Sequence, residues 1–249
     1  MKTELIENDV EISNESTLNL SLNLQKKNYD IELSAIPFKE INNSTFYNLV
    51  KRAFDIFVAI LSLIVISPLV LIISVLIKLE DNGQVFFRHE RIGKKGRIIK
   101  IYKFRSMRNT SEDFINLLSK EQYEEYKREF KVTNDPRVTR VGRILRKTSL
   151  DELPQLINIL KGEMSIVGPR PIVKSEFENY SQNQTAELLS VRPGLTGYWQ
   201  AYARNKATYS TGIRQSMELH YVKNASIGMD IKIIFKTFAM VVKCMKNNN

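Results

Sequence analysis

Residues Ile56 to Ile77 read IFVAILSLIVISPLVLIISVLI, 22 residues without a charge. As a straight helix this run reaches about 33 Å, enough to cross a bilayer core. A simple transmembrane anchor is therefore one reading. Two features favour another. Pro68, preceded by Ser67, lies near the middle, where proline removes a helix hydrogen bond and clashes with the preceding turn. The Ser67 hydroxyl can bond the carbonyl so freed and hold a bent shape. Both flanks are also basic, with Lys51 and Arg52 before the run and Lys78, Arg88, Arg91, Lys94, Lys95 and Arg97 after it. Basic flanks favour the cytoplasmic side. A helix that dips in, breaks at Ser67–Pro68 and returns satisfies both flanks. Each half would hold ~11 residues and reach roughly 16 Å, about mid-bilayer.

The charge balance points the same way. The chain has 249 residues and a net charge of +10, which implies an anionic partner: nucleic acid, a phosphorylated substrate or acidic lipid. A single cysteine, Cys244, excludes an intramolecular disulfide framework. Two histidines far apart in sequence, His89 and His220, make a His/Cys metal site or a Ser-His-Asp triad a poor fit. Residues 1–46 carry scattered charges and no apolar signal region, and read as a disordered polar leader; a short strand pairing near LNLSLNL is the alternative.

Beyond the apolar run, residues 84–108 contain nine Lys/Arg and one Glu. They predict two strands joined by the turn Gly93-Lys94-Lys95-Gly96. This is either a solvated basic edge or a surface for anionic head groups. Ser111 to Phe130 predicts a polar amphipathic helix. A further helix is expected near 137–147, with Arg137, Arg140, Arg143 and Arg146 on one broad face and Val138, Val141, Ile144 and Leu145 opposite. Ile227 to Lys246 predicts a helix with a lysine stripe, either a core helix with a wet edge or one lying in the membrane interface.

The chemistry concentrates in KTSLDELPQLINILKGEMSIVGPRP, Lys147 to Pro171. Ser149 and Glu152 fit the capping-box spacing, which would make Glu152 an ordinary helix cap. Pro154 weakens that reading, because a helix starting near Pro154 leaves Asp151 and Glu152 at its positive end. The dipole would keep a carboxylate there ionised, as a nucleophile or a Mg²⁺ ligand must be. Pro169 and Pro171 stiffen the loop that presents Arg170, which suits a bidentate phosphate contact. An ordinary turn arginine is the plainer alternative.

Taken in order, KRAFD, the Ser67–Pro68 pair, KIYKFRSM, DPRVTRVGRILRKTSLDELPQLINILKGEMSIVGPRP and RPGLTGYWQ resemble the bacterial sugar transferases that are monotopic phosphoglycosyl transferases. The resemblance runs from about Lys51 to Lys246. It implies a re-entrant membrane helix turning at Ser67–Pro68, with Lys51 and Arg52 as its basic anchor. It implies a catalytic pair, Asp151 and Glu152, with Asp151 as nucleophile and Mg²⁺ at that site. Arg170, between Pro169 and Pro171, and Arg146 are implied phosphate contacts. The substrates implied are a UDP-sugar and polyprenyl phosphate, and the product opens exopolysaccharide, capsule or glycan assembly, with downstream glycosyltransferases as partners. One departure is Ala203 in Ala203-Arg204-Asn205, where relatives often carry glycine.

The resulting expectation is an α+β, mainly helical chain. Residues 47–80 form a re-entrant helix-break-helix. Residues 81–249 form a cytoplasmic-face catalytic domain with a small basic β-hairpin, a helical core and amphipathic interfacial helices. A homodimer is left open. A non-catalytic basic membrane scaffold is the competing class. Nucleic acid is not expected, because the basic residues do not interleave with aromatics and no recognition-helix motif occurs.

Overall fold

The computed structural model describes residues 44–108, 118–129, 132, 134–203, 209 and 211–246. The expected leader up to residue 43 and the start of the expected helix at Ser111 lie outside them. That helix is described as α2, Lys120–Glu129.

Helix α1, Thr45–Asp81, has 37 residues. Among the described residues it is the one helix long and apolar enough to cross a membrane. It runs through Pro68 as a single helix rather than as two helices separated by a break. The reason is local: Ser67 Oγ donates to the Ile64 carbonyl at 2.8 Å. That carbonyl, four residues before the proline, is the one Pro68 cannot serve, so the defect is satisfied where it arises.

Asp55, Ala59, Ile73 and Ile77 are buried and share one side of α1. Pro68 lies about 140–180° around the helix from them. The opposite flank is bare: Phe57, Ile64, Val65 and Leu71 are 65–69% exposed. Ile73 and Ile77 instead form a core with Phe104 and Leu145, to which Val70, Val85, Val141, Leu150 and Leu153 add. Each such burial stabilises by roughly 1.5–3 kcal/mol. The second half of α1 is thus part of the folded body.

Strands β1, Phe86–Ile92, and β2, Ile98–Phe104, form the expected antiparallel hairpin. Its turn, Lys94–Gly96, places Lys95 in the left-handed region. Alternation sends Phe87, His89 and Arg91 to the same face as Lys103, directly opposite Phe87. On the other face Phe86 stacks on Phe104 at 5.4 Å.

Helix α3, Arg140–Thr148, is capped by Thr139, whose hydroxyl accepts the Gly142 N–H. Its first turn lies against the chain leaving β2: a Cβ on Gly142 would sit 2.0 Å from the Ser106 carbonyl. This approach turns Leu145 inward and leaves Ile144 62% exposed. The expected apolar stripe is therefore narrower than the sequence implies. Val138 leaves it altogether, pairing with Met107 before the helix begins.

After α3 the chain passes through Ser149, at φ 61°, into a 3₁₀ turn, Leu150–Gln155, then α4, Leu156–Leu160. Strands β3, Ser165–Val167, and β4, Gly194–Thr196, pair in parallel, an element not expected from the sequence. The pairing needs glycine, since a Cβ on Gly194 would fall 2.1 Å from the Gly168 nitrogen. Between β3 and β4 lie a 3₁₀ turn, Lys174–Asn179, and α5, Gln182–Leu188. Helices α6, Tyr198–Ala203, and α7, Ile213–Asn224, follow. Helix α8 spans Ile227–Lys246, the bounds the sequence suggests. It buries Asp230 and Ile233 and exposes Ile227, Ile231, Phe235 and Phe238.

Candidate active site

Asp151 and Glu152 sit side by side in the 3₁₀ turn that follows α3, both partly buried. The Glu152 N–H donates to the Ser149 carbonyl at 3.2 Å, and the Ser149 side chain makes no cap bond. The capping-box alternative for Ser149 and Glu152 is therefore not formed. The left-handed turn at Ser149 carries its side chain away from the required geometry. The Glu152 carboxylate is held instead by Lys103 from β2, whose Nζ donates to Oε1 at 2.8 Å.

Asp151 also differs from expectation. Burial pushes its carboxyl up to about 6; Lys103 and Arg146 pull it down, and Glu152 opposes them. Loss of water outweighs the pull of the nearby cations and of the turn. Arg146 comes from the last turn of α3, and its Nη1 is buried without a hydrogen-bond partner. A buried guanidinium nitrogen left in that state is costly. Beside a carboxylate it is a vacant donor for a second anion.

Arg170 stands in the loop after β3. Pro169 and Pro171 are both buried, and the Pro169 carbonyl accepts the Gly194 N–H at 2.8 Å. Burial works against the Arg170 charge, but Glu152, Glu176, Tyr209 and Glu218 outweigh it and raise the guanidinium above its usual range. Glu152 is the largest of these charges, so the expected phosphate arginine and the carboxylate pair share one electrostatic site. The loop itself is fixed by Glu218, whose Oε2 accepts the Arg170 backbone N–H at 2.8 Å. Burial drives the Glu218 carboxyl up to about 7.

The hairpin face completes the site. Arg91 Nη1 and His89 Nε2 lie 2.6 Å apart. Burial, then Arg91, Lys103 and Arg170, lower the His89 ring to about 4, so it is a neutral acceptor with its proton on Nδ1. Arg91 is lowered to about 10 by burial and by Arg170. Lys103, Arg146, Arg91 and Arg170 thus surround two carboxylates, an arrangement suited to an anionic substrate and an oxygen nucleophile.

A family profile described as "Bacterial sugar transferase" matches residues 46–244. The chain belongs to that family. It is a transferase. Exopolysaccharide production protein ExoY of Sinorhizobium fredii is 48% identical over 194 residues, 77% of this chain and 84% of that protein. Undecaprenyl-phosphate galactose phosphotransferase of Salmonella typhimurium is 45% identical, over 78% of this chain and 40% of its own length. UDP-glucose:undecaprenyl-phosphate glucose-1-phosphate transferase of Escherichia coli is 40% identical, over 81% and 42%. The chain thus spans less than half the length of these last two relatives.

The remaining expected residues of this sugar transferase lie on α1. Lys51 and Arg52, read from sequence as a basic anchor, are both bonded within the protein. Lys51 Nζ donates to Asp230 Oδ2 at 2.8 Å, and Asp230 also accepts from Tyr47 and Tyr221. Arg52 donates to the carbonyls of Ile159 and Leu160. Asp55 accepts from Ser165 Oγ and the Ile166 N–H. Ser67 and Pro68 lie in the bare middle of α1, remote in sequence from every one of these bonds.

Sequence reasoning missed Lys103, His89, Arg91, Glu176 and Glu218 as parts of the site. For the first three a signal existed, since strand alternation puts them on one face of the hairpin. Glu176 and Glu218 lie on separate helical turns, and nothing local marks them.

Proposed function

We propose that this chain transfers a sugar 1-phosphate from a UDP-sugar to polyprenyl (undecaprenyl) phosphate, releasing UMP, as the first membrane step of exopolysaccharide or related glycan assembly. The observation that carries this reading is the Asp151 carboxylate set among Lys103, Arg146 and Glu152, with a vacant buried donor on Arg146. The names of the relatives support the substrate classes.

In the first step an Asp151 oxygen attacks the β-phosphorus. The bond to the bridging oxygen breaks, and UMP leaves with the electron pair. In the second step a phosphate oxygen of the carrier attacks the same phosphorus, the aspartyl ester bond breaks, and the carboxylate returns. Arg146 and Arg170 hold the non-bridging oxygens, where charge builds in both transition states. Lys103 fixes Glu152 and lowers the Asp151 carboxyl, keeping the nucleophile ionised at neutral pH. Among the described residues no group of three or more His, Cys, Asp and Glu gathers as a metal cage. Mg²⁺ still fits Asp151 and Glu152, because it binds through one or two carboxylates plus substrate phosphates. Bound there, it would screen the diphosphate.

Features of α1 support the proposed membrane arrangement. A spanning helix would place about 30 Å of hydrocarbon between its ends. Here Arg52 near one end and Glu80 near the other both bond the segment between Arg140 and Leu160. A proline opens a helix on its own side, and Pro68 lies opposite the buried stripe. Any bend there closes α1 toward the body, which supports a re-entrant, monotopic helix, and the basic flanks of the apolar run favour the cytoplasmic face for the site.

The test is a UDP-sugar labelled in both sugar and β-phosphate, incubated with the protein without acceptor. Both labels become acid-stable on Asp151, and polyprenyl phosphate discharges them. Turnover with no label on Asp151 removes the covalent step. No UMP release from any UDP-sugar removes the reaction.

A further inference from the structure

Helix α1 holds the segment that carries the carboxylate pair at both of its ends. At the front, Glu80 accepts the backbone N–H groups of Arg140 at 2.6 Å and Val141 at 3.2 Å, the first turn of α3. At the back, Arg52 donates to the carbonyls of Ile159 at 2.7 Å and Leu160 at 3.0 Å, the end of α4. An acid meets a helix N-terminus and a base meets terminal carbonyls, so each has the sign its helix end favours. Hydrogen bonds to charged groups are also the strong kind. Between the two clamps run Arg146, the left-handed Ser149, Asp151 and Glu152. The inner side of this stretch rests on the same helix, with Leu145, Leu150 and Leu153 in the cluster of Ile73 and Ile77.

The clamping residues lie on either side of Ser67–Pro68. In a straight helix they would be separated by about 42 Å along the axis, and any bend between them shortens that span. The bare apolar middle of α1 is the part that meets hydrocarbon, and a helix in a bilayer of mismatched thickness adjusts by tilting or kinking. Such an adjustment moves Arg52 relative to Glu80 and hence one end of the catalytic segment relative to the other.

We propose that Arg52 and Glu80 are positioning residues for Asp151 and Glu152, through which the shape α1 adopts in lipid sets the geometry of the carboxylate pair. The proposal rests on the reaction above for its catalytic consequence, and on the hydrogen bonds alone for the clamp.

The experiment uses the full chain in nanodiscs of short-chain or long-chain phosphatidylcholine, with Glu80→Ala, Arg52→Ala and the conservative Glu80→Asp and Arg52→Lys. The first readout, amide hydrogen exchange, needs no substrate. Glu80→Ala is expected to speed exchange about tenfold at Arg140 and Val141 and also across 149–155, beyond the bonds it removes. In the unsubstituted chain exchange across 149–155 differs between the two bilayers, and both alanine variants abolish the difference. The second readout is turnover with UDP-sugar and polyprenyl phosphate. Each alanine variant loses about tenfold in kcat with KM held within about twofold, and the conservative variants recover most of the loss. A merely structural role does not produce that split.

Unchanged exchange across 149–155 in the alanine variants overturns the proposal, as does a loss confined to KM. Should the alanine variants fail to fold, the unsubstituted chain decides: equal exchange across 149–155 in both bilayers overturns the proposal, and unequal exchange supports it. Failure of the chain to turn over any UDP-sugar would strike the functional reading alone, and exchange would still decide the clamp.

Discussion

Lys103 Nζ donates to Glu152 Oε1 at 2.8 Å, joining the basic hairpin to the carboxylate pair across 49 residues of sequence. Lys103 is also the largest charge holding the Asp151 carboxyl down. Lys103→Met is therefore expected to raise that carboxyl further above about 6. The same change removes the Lys103 bond to Glu152. Turnover should fall about 100-fold, the usual cost of one preorganised charged contact. A pH–rate profile checks this, with the acid limb of the variant displaced to higher pH.

In the unsubstituted enzyme the acid limb of kcat/KM should lie near pH 6, where the Asp151 carboxylate takes up a proton. Below it the rate should fall about tenfold per pH unit as the proposed nucleophile is neutralised. A limb near pH 4, typical of an unburied carboxyl, would contradict the burial of Asp151.

The same shift has a stability consequence of the opposite sign. The folded carboxyl, at about 6, lies above its ordinary 3.8, so the native state binds the proton more tightly than the unfolded chain. The cost is fully present above pH 6 and disappears as pH falls toward 4. It amounts to about 3 kcal/mol. Asp151→Asn should therefore abolish transfer while raising Tm at pH 7.5, with the gain shrinking at pH 4.5.

Asp230 takes three donors, Tyr47 Oη at 3.0 Å, Lys51 Nζ at 2.8 Å and Tyr221 Oη at 2.8 Å. Asp230→Leu strands a nearly buried ammonium and two hydroxyls. A loss of about 3–5 kcal/mol is expected, read by chemical denaturation in detergent. Asp230→Asn should lose less, because it keeps an acceptor.

Two glycines make a paired test of packing. Gly142→Ala drives a Cβ into the Ser106 carbonyl, whereas Gly228→Ala meets nothing within 4 Å. The first should displace α3, lowering both Tm and turnover. The second should be neutral or stabilise by about 0.5–1 kcal/mol through helix propensity. Thermal melts of the two variants decide this.

A topology test addresses α1. Single cysteines at Asn48 and Asn82, in a Cys244→Ser background, should both react with an impermeant maleimide from the same face of sealed membranes. Reaction from opposite faces would mean that α1 spans the bilayer.

The elements legible from sequence were those written in local spacing. An uncharged run of 22 residues becomes α1, alternation across GKKG becomes the hairpin, and the wheel of residues 227–246 becomes α8. The bond from Ser67 to Ile64 was legible too, because a proline and the hydroxyl that repairs its defect lie within one turn. The adjacency of Asp151 and Glu152, with Arg146 five residues earlier, is likewise a fact of the chain. Period, charge and proline act over a few residues, and there the sequence alone determines the outcome.

Tertiary structure alone decided which charges meet. Asp151 reads as an acid kept ionised at a helix start, and burial turns it into a carboxyl near 6. Lys51 and Arg52 read as the basic anchor of the membrane helix, and only the fold shows that they bond Asp230 and the end of α4. Glu218 and the parallel pairing of β3 with β4 carry no local mark at all. Desolvation and pairing depend on which distant surfaces the fold brings together, and no spacing within a single helix or strand encodes that.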